Sequence, residues 1–294
     1  MGKIWKIAAV LTVFIAMYIA YTLRDTFDPE SIHGKRVIVT GASTGIGEQV
    51  AYQYAKLGAN ILITARRENR LKEVVKKCLD LGAQSAHYIS LDMQVINETG
   101  KLITEAEKTL GGLDYLVLNH ALYYWELWDG DIERLQALMN INFVSYVNLA
   151  TKALPMLSKS NGSIAVVSSS SGLVSVPAVI PYSASKHALN GFIEGLRLEL
   201  EYMGIDVAIT LLLIGGVSTD HMIDIVQRRE TLAQFGEPAE AASFIMKAAS
   251  SKRTVAYYPW AIVRIPEIIH TMSRDLSDFM MSRWMFPALR RRKM

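Results

Sequence analysis

The chain has 294 residues, of which 51% are hydrophobic and 20% are charged, and its net charge is +3. This balance can bury a large core, which excludes a disordered chain, and the small positive charge gives no basic face of the kind that binds nucleic acid. The single cysteine cannot form an internal disulfide, and histidines are scarce, so no metal site is predicted.

The first 24 residues are predicted to form a membrane anchor. No charged residue occurs between Ile7 and Leu23, a run of about 17 residues that is near the lower limit for a spanning helix. Lys3 and Lys6 precede this run, and the positive-inside rule therefore predicts a cytoplasmic N-terminus with the remaining chain across the membrane. A cleaved signal peptide is the alternative, but the run is long for one and no small-residue cleavage motif follows it.

Two glycosylation motifs would be usable if the domain is luminal, one at residues 97–99 and one at residues 161–163. Asn161 is followed by glycine and is predicted to lie in an exposed turn, which makes it a better acceptor than Asn97. The chain ends on a basic run, residues 290–293, which would either contact anionic lipid or lie free in solvent.

After a linker at residues 25–34, apolar runs alternate regularly with helical stretches. Buried strands are predicted at residues 35–40, 60–64, 85–91, 115–118, 163–168, 207–213 and 254–258. Helices are predicted to end near Leu57 and Met203 and to cover residues 67–81, 95–110, 131–157 and 238–249. This alternation predicts an α/β fold over residues 35–259, with one doubly wound, Rossmann-type parallel sheet and helices on both faces.

A glycine-rich turn, residues 41–47, directly follows the first predicted strand. Glycines permit a tight turn and a close backbone approach, and the N–H groups that open the next helix favour a pyrophosphate. An ordinary glycine-rich turn is the alternative, but the position after a buried strand favours a dinucleotide site. The residues of the turn predicted to bind the cofactor are Gly41, Ser43, Thr44, Gly45, Ile46 and Gly47.

The end of the second strand indicates which dinucleotide binds. NAD sites place an acidic residue there for the ribose 2′-hydroxyl, whereas this chain has Arg66 and Arg67. A guanidinium can pair with a 2′-phosphate, so NADP(H) is predicted, with Arg66 as the preferred partner and Arg67 as the opening of the next helix. Asp92 is predicted to meet the adenine, or to cap a turn. Because ligands gather at the carboxyl ends of parallel strands, further cofactor residues are predicted at Met93, Asn119, Gly215, Val217 and Thr219.

The segment that indicates chemistry contains Tyr182 and Lys186, which lie four residues apart and therefore on one face of a helix. A phenol has an ordinary pKa near 10, and we expect the neighbouring ammonium to lower it towards neutral pH. A serine from the cluster at residues 168–171 would hold the oxygen that exchanges the proton. The set predicts proton transfer to a carbonyl, coupled to hydride transfer.

These motifs together resemble the short-chain dehydrogenase/reductase superfamily over about residues 35–258. The resemblance rests on the glycine-rich turn, on Asn142, on Ser169 and on the Tyr182–Lys186 segment. Further phrases, at residues 111–114, 118–120, 142–146 and 161–163, resemble the 11-beta-hydroxysteroid dehydrogenase type 1 group and its type 1-like relatives. Members of that group also carry an N-terminal anchor.

The resemblance implies a role for each matched residue. Tyr182 would be the general acid/base, and Lys186 would lower its pKa and bind the nicotinamide ribose. Ser169 would position the substrate carbonyl or hydroxyl, and Asn142 would hold a water of the proton relay. The implied enzyme is an endoplasmic reticulum homodimer that reduces a steroid ketone with NADPH in the lumen. In the related enzymes the C-terminal segment, here residues 260–294, covers the substrate mouth and joins the dimer; contact with the membrane and simple packing on the core are the alternatives.

Three departures from the group's pattern bear on the substrate and the cofactor. Thr44 occupies a position where the type 1 enzymes usually have a second cation for the 2′-phosphate. His120 replaces an asparagine of the superfamily's Asn-Asn-Ala-Gly motif and is predicted to be structural. Val176 and Gly216 are smaller than the residues that usually line the steroid pocket. A retinoid, a sterol or a xenobiotic carbonyl is therefore an alternative substrate. Two alternative functions are less favoured: a cofactor-binding protein without turnover, and a nucleotide-sugar epimerase, which the glycine spacing disfavours.

Overall fold

The computed structural model describes residues 27–219 and 236–290, together with residues 5, 9, 10, 12, 13 and 17. The predicted anchor run at residues 7–23 and the basic run at residues 290–293 lie mostly outside the described residues. In the part of the chain that is described, no helix combines the length and the apolar character needed to cross a membrane.

The centre of the molecule is a seven-stranded parallel sheet in which all seven predicted strands are present with nearly the predicted ends. The strands are β1 (Arg36–Thr40), β2 (Asn60–Ala65), β3 (Ser85–Ser90), β4 (Tyr115–Leu118), β5 (Ser163–Ser169), β6 (Ala208–Ile214) and β7 (Val255–Tyr258). Their spatial order is β3-β2-β1-β4-β5-β6-β7. The order reverses between β1 and β4, which is where ligands bind in doubly wound sheets.

Ten helices of the described residues surround this sheet. They are α1 (Gly45–Lys56), α2 (Glu68–Asp80), α3 (Ile96–Thr99), α4 (Lys101–Leu110), α5 (Ile132–Met139), α6 (Ser145–Ser160), α7 (Ile180–Tyr202), α8 (Pro238–Ser250), α9 (Trp260–Met272) and α10 (Arg274–Arg290). The predicted helix at residues 131–157 is present but changes at Asn140–Val144 into a turn of π-helix. The two C-terminal helices were not predicted.

The sheet is buried on both faces, and alternate residues of each strand enter different cores. Val37 and Val39 of β1 pack into one core, with α1, α2 and α8, whereas Ile38 packs into the other, with α4, α6 and α7. The same alternation holds in β5, where Val167 and Val166 enter opposite cores. The helices on both faces leave only the ends of the strands available to polar groups.

An ion pair joins β1 to β4 at the end of the sheet away from the glycine-rich turn. The Arg36 Nε atom lies 2.7 Å from Asp114 Oδ2, and the backbone N–H of Arg36 donates to the same oxygen. Burial raises the pKa of Asp114, but the hydrogen bonds and charge of Arg36 outweigh it and hold that pKa below its ordinary value. This pair fixes the two strands that flank the ligand crevice.

Candidate active site

The glycine-rich turn brings the backbone of β1 against the residues that follow β4. Gly41 has a φ of +67°, and a Cβ on it would lie 2.7 Å from the Cα of His120. A Cβ on Gly47 would lie 2.4 Å from the carbonyl oxygen of Gly41. Only glycine fits at these two positions, so the N-terminus of α1 approaches the strand ends closely and presents its N–H groups to the crevice.

Of the two arginines at the end of β2, Arg67 is the one that reaches the glycine-rich turn. Its Nη2 atom donates to Ser43 Oγ at 3.0 Å, and its Nε atom lies 3.3 Å from the same oxygen. Arg67 also immediately precedes α2, as predicted, and both arginines are exposed. The preference for Arg66 over Arg67 as the phosphate partner stays a prediction, and the structure gives Arg67 the better placement.

The predicted cofactor residues that follow β3 and β4 make contacts within the protein. A carboxylate oxygen of Asp92 accepts from the backbone N–H of Gln94 at 2.9 Å, which is the turn that the sequence offered as the alternative role for this residue. The side chain of Met93 is buried in the core between the sheet and α4. Asn119, after β4, donates its side-chain amide to the carbonyl of Thr40 at 3.2 Å and lines the main cavity.

Ser169 and Tyr182 meet at the carboxyl end of β5. Ser169 is the last residue of the strand, and Tyr182 lies in the first turn of α7, where the Ser169 hydroxyl is a neighbour of the phenol. The neighbouring Ser168 is committed elsewhere, because its hydroxyl donates to Asn190 at 2.6 Å. Ser169, the serine that the family resemblance implies, is therefore the one placed beside Tyr182.

The charge states of Tyr182 and Lys186 differ from the sequence-based expectation. Burial raises the pKa of Tyr182 to about 12, and the neighbouring Ser169 hydroxyl, which lowers this pKa, opposes the rise only in part. Burial also lowers the pKa of Lys186 from 10.5 to about 7. The expected lowering of the Tyr182 pKa by Lys186 is thus absent from this arrangement, because the amine donates to the carbonyl of Val167 at 2.9 Å and lies 5.8 Å from the centre of the Tyr182 ring.

Asn142 lies in the turn of π-helix before α6, an irregularity that is frequent at functional sites. Its side-chain amide accepts from the N–H of Leu122 at 2.7 Å and donates to the carbonyl of Leu122 at 2.8 Å. The same amide group lies 3.2 Å from Ser185 Oγ, which in turn donates to the carbonyl of Tyr182. Asn142 therefore ties the loop after β4 to the first turn of α7, and its role in holding a relay water stays a prediction.

His120 is a buried, neutral component of the scaffold. Its Nδ1 atom lies 2.8 Å from the Thr40 hydroxyl and its Nε2 atom 2.7 Å from the Ser145 hydroxyl. Each of these hydroxyl groups also donates to a backbone carbonyl, Ser145 to that of Ile141 and Thr40 to that of Val117. Burial, with a contribution from the nearby Lys186 charge, lowers the pKa of His120 to about 3. The predicted structural role is consistent with this network.

A cavity of about 850 Å³ opens directly above Ser169 and Tyr182. Val176 and Gly216, the two predicted substrate residues, are on its wall. Seven of the predicted cofactor residues also line it: Ile46, Asn119, Tyr182, Lys186, Gly215, Val217 and Thr219. The remaining ones, which follow β1, β2 and β3, continue the same edge of the sheet.

Much of the cavity wall comes from residues that sequence reasoning did not assign individually. The helices α9 and α10 contribute an apolar wall made of Ile262, Val263, Ile265, Pro266, Ile269, Met280, Met281, Trp284 and Met285. The loop after β4 contributes Tyr123 and Trp125. The only sequence signal for the loop was a run of aromatic residues, and the C-terminal segment was assigned to the substrate mouth only as a whole.

A Rossmann-type sheet, a glycine-rich turn and a neighbouring serine and tyrosine beside a lysine define an oxidoreductase that uses a nicotinamide dinucleotide. Residues 35–230 match the family described as short chain dehydrogenase. The chain belongs to this family. A crystal structure described as that of a short-chain alcohol dehydrogenase from Sinorhizobium meliloti 1021 has the same fold, with a TM-score of 0.66 and 25% identity over 74% of this chain and 90% of that one.

The chain is also similar to curated proteins named hydroxysteroid 11-beta-dehydrogenase 1-like protein. The Gallus gallus protein is 46% identical over 260 residues, which cover 88% of this chain and 89% of the relative. The Xenopus tropicalis protein is 44% identical over 244 residues, which cover 83% of this chain and 85% of the relative. The resemblance to the type 1-like group, inferred from the motifs, is therefore confirmed.

The buried neutral His120 predicts a loss of stability in mild acid. Its pKa is about 3 in the folded chain and 6.5 ordinarily, so the unfolded chain binds a proton that the folded chain excludes. The free energy of unfolding is therefore highest above pH 6.5 and falls as the pH drops towards 3, by up to about 1.4 kcal/mol per pH unit. Urea unfolding at pH 7.5 and at pH 5.0 measures this effect. Between the two pH values, the free energy of unfolding should fall by about 2 kcal/mol more in the wild type than in His120→Asn.

A His87→Asn variant controls for removal of a histidine from the edge strand β3. Equal losses of stability between pH 7.5 and 5.0 in the wild type and in His120→Asn would contradict the assignment of His120 as a buried neutral group.

Proposed function

We propose that this protein is a membrane-anchored, NADP(H)-dependent hydroxysteroid dehydrogenase that works as a ketone reductase. The observation that carries the proposal is the placement of Ser169 and Tyr182, with Lys186 one turn away, at the base of one large apolar cavity. The names of the relatives support a hydroxysteroid as the substrate class.

The residues of the chain fit a nicotinamide dinucleotide. The backbone space kept clear by Gly41 and Gly47 and the N–H groups that open α1 suit a pyrophosphate. The Arg67 guanidinium, placed on Ser43 beside this turn, suits the 2′-phosphate that distinguishes NADP(H) from NAD(H). Arg66 is exposed next to it and would add a second positive charge to the same phosphate.

The mechanism follows from the protonation states of the buried side chains. A bound NADPH supplies the hydride. Because the pKa of Tyr182 is about 12, its phenol is protonated at neutral pH and can donate a proton to the carbonyl oxygen. Ser169 lies within hydrogen-bonding reach of Tyr182 and can donate to the same oxygen. These two donors favour reduction, whereas oxidation of the alcohol requires the phenolate and therefore a higher pH.

Lys186 and Asn142 act behind the proton donor. The amine of Lys186 has a pKa of about 7 and is therefore partly protonated at neutral pH. We assign two roles to this amine: it binds the nicotinamide ribose, and it returns a proton to Tyr182. We assign to Asn142 the role of holding the water that would connect this relay to solvent. Its amide also fixes the first turn of α7 through Ser185, which positions Tyr182.

The cavity supports a large apolar carbonyl compound as the substrate. Its volume of about 850 Å³ lies within the roughly 300–1,000 Å³ typical of ligand pockets, and its wall from α9 and α10 is almost wholly apolar. The small side chain of Val176 and the absence of one at Gly216 favour a second candidate, a retinoid, another sterol or a xenobiotic carbonyl, because they leave room for a different shape on the wall beside Tyr182.

Oxidation of NADPH by the detergent-solubilised full chain with an 11-keto-steroid tests the function. We expect turnover in the wild type and a loss of at least about a hundredfold in Tyr182→Phe, which retains the ring but lacks the proton donor. Reduction of retinal or of another lipid carbonyl compound, with no steroid turnover, would show that the substrate is not a steroid and that the reaction is still carbonyl reduction. Binding of NADPH without turnover of any carbonyl would favour a cofactor-binding protein instead.

The cofactor preference is tested at Arg67. Replacement by glutamate places a carboxylate next to Ser43, which would repel a 2′-phosphate and accept from a ribose 2′-hydroxyl. We expect Arg67→Glu to lower kcat/KM for NADPH by about a hundredfold, some 3 kcal/mol, and to raise it for NADH. The matched variant Arg66→Glu shows which of the two arginines matters more. An unchanged ratio of NADPH to NADH use in both variants would contradict the proposal.

We also propose that residues 1–24 anchor the protein in the endoplasmic reticulum membrane with the catalytic domain in the lumen, as a homodimer. Exposed Asn161, in a left-handed turn after α6, is a sterically open acceptor for luminal glycosylation. Gly191 and Gly195 face open space on α7 beside the exposed Leu198, which provides a flat surface for a second copy.

The proposed sidedness predicts an endoglycosidase-sensitive mass shift in cells. We expect Asn161→Gln to lose it and Asn97→Gln to keep most of it, because Asn161 is the better acceptor. Removal of residues 2–24 should abolish both the shift and sedimentation with membranes after alkaline carbonate extraction. Protease accessibility of the domain in sealed microsomes, together with no mass shift, would contradict a luminal location.

A further inference from the structure

The loop between β4 and α5, residues 119–131, has no regular secondary structure, yet it reaches the catalytic centre. Tyr123 and Trp125 line the cavity, and their ring centres are 6.5 Å apart. The ring of Tyr123 meets that of Tyr182 edge to face, with centres 4.9 Å apart and planes at 80°. This is a favourable aromatic geometry, and it places the Tyr123 ring against the catalytic ring at the cavity wall. A loop without strand or helix needs other contacts to maintain it.

The first of these contacts is made by Arg134, in the first turn of α5. Its Nη1 atom donates to Glu126 at 2.6 Å, its Nη2 atom donates to Asp129, and its Nε atom lies 3.9 Å from Asp131. The arginine side chain is only 15% exposed although its partners are largely exposed. Isolated surface ion pairs contribute little, but a covered guanidinium that binds several carboxylates is held in one geometry. Arg134 therefore fixes the outer part of the loop.

The second contact joins this loop to the segment that follows β5. The N–H of Glu126 donates to the carbonyl of Ala178 at 2.8 Å. Ala178 is buried and has a φ of +68°, which is unfavourable for a residue with a Cβ and is kept only where neighbouring structure imposes it. The segment that contains Ala178 also carries Val176, on the cavity wall. This hydrogen bond thus joins the loop after β4 to the segment after β5, and these two segments form cavity walls on either side of Tyr182.

We propose that Tyr123 is a specificity-determining and positioning residue of the active site, and that Arg134 holds it in place through the loop. The inference rests on the proposed carbonyl reduction and adds to it a wall that faces the reacting group. Tyr123, with Trp125, offers an aromatic surface to the part of the substrate next to the carbonyl, which favours a rigid apolar ring system over a flexible chain. Its contact with Tyr182 fixes the catalytic ring and keeps water from it.

The ionisable groups that face Tyr182 come from three elements. Lys186 is on the same helix, Tyr146 is on α6, and Tyr123 is on the loop, while the neutral His120 stacks behind Tyr146 with ring centres 4.4 Å apart. Burial is the main cause of the raised pKa of Tyr182. Removal of the Tyr123 ring would admit water and lower that pKa towards its ordinary value of 10, which would move the alkaline decline of the reduction rate to lower pH.

The test compares Tyr123→Leu with Tyr123→Phe in the full chain, in detergent, with NADPH and the best ketone found. Because Leu removes the ring, we expect its KM to rise by about tenfold for a ring ketone and much less for a flexible aliphatic ketone. The alkaline decline of kcat should also shift down by about one pH unit. Phe keeps the ring and should restore most of the wild-type KM and pH profile. Unchanged KM and pH profile in Tyr123→Leu would overturn the assignment of Tyr123.

The role of Arg134 is tested by Arg134→Met and Arg134→Lys. Met should shift KM and the pH profile in the direction of Tyr123→Leu, and Lys should give an intermediate result because an ammonium lacks the planar fork. Lys101→Met removes an exposed ion pair with Glu98, far from the cavity, and is the control. Wild-type behaviour of Arg134→Met would overturn the role of Arg134.

Two readouts keep this inference separate from the proposed function. If the wild type reduces no ketone, the proposed function fails, but hydrogen exchange at the Glu126 amide should still be faster in Arg134→Met, with core amides such as that of Leu116 unchanged. The tyrosinate absorbance that is lost in Tyr182→Phe should likewise appear at lower pH in Tyr123→Leu. Unchanged exchange at Glu126 would overturn the role of Arg134, and an unchanged titration of Tyr182 would overturn that of Tyr123.

Discussion

Burial of the sheet on both faces is the constraint on which the rest of this structure depends. Because α1, α2 and α8 cover one face and α4, α6 and α7 cover the other, polar groups can gather only at the strand ends. The order reverses between β1 and β4, so the edge splits into a half that carries the glycine-rich turn and a half that carries Ser169. The predicted cofactor residues lie on both halves, since Gly215, Val217 and Thr219 follow β6, whereas the predicted substrate residues all lie on the half with Ser169.

The same burial determines the chemistry at the centre of the site. Desolvation favours the neutral forms of Tyr182, Lys186 and His120, and no carboxylate compensates them within the described site. A protonated phenol is a proton donor, a lysine near neutrality can exchange a proton, and a neutral imidazole bridges two hydroxyl groups as part of the scaffold. Proton donation to a carbonyl is therefore favoured by the environment as well as by the residue types.

Selection of the substrate depends on other parts of the molecule. The base of the cavity comes from the sheet edge, whereas its walls come from α9, α10 and the loops that carry Tyr123 and Val176. Such segments can change without disturbing the sheet, since their contacts with it are few and local. Relatives that share the catalytic group can therefore differ in the carbonyl compounds that they reduce.

The sequence determined the seven strands, the glycine-rich turn and the pairing of Tyr182 with Lys186, because apolar runs and short spacings are local properties of a chain, whereas the choice of Ser169 came from the family resemblance. The tertiary structure decided which arginine reaches Ser43, the π turn at Asn142, the two C-terminal helices and the contact between Tyr123 and Tyr182. It also reversed the expected pKa shift of Tyr182. These features depend on burial and on contacts between residues distant in sequence, and neither is encoded in a local pattern.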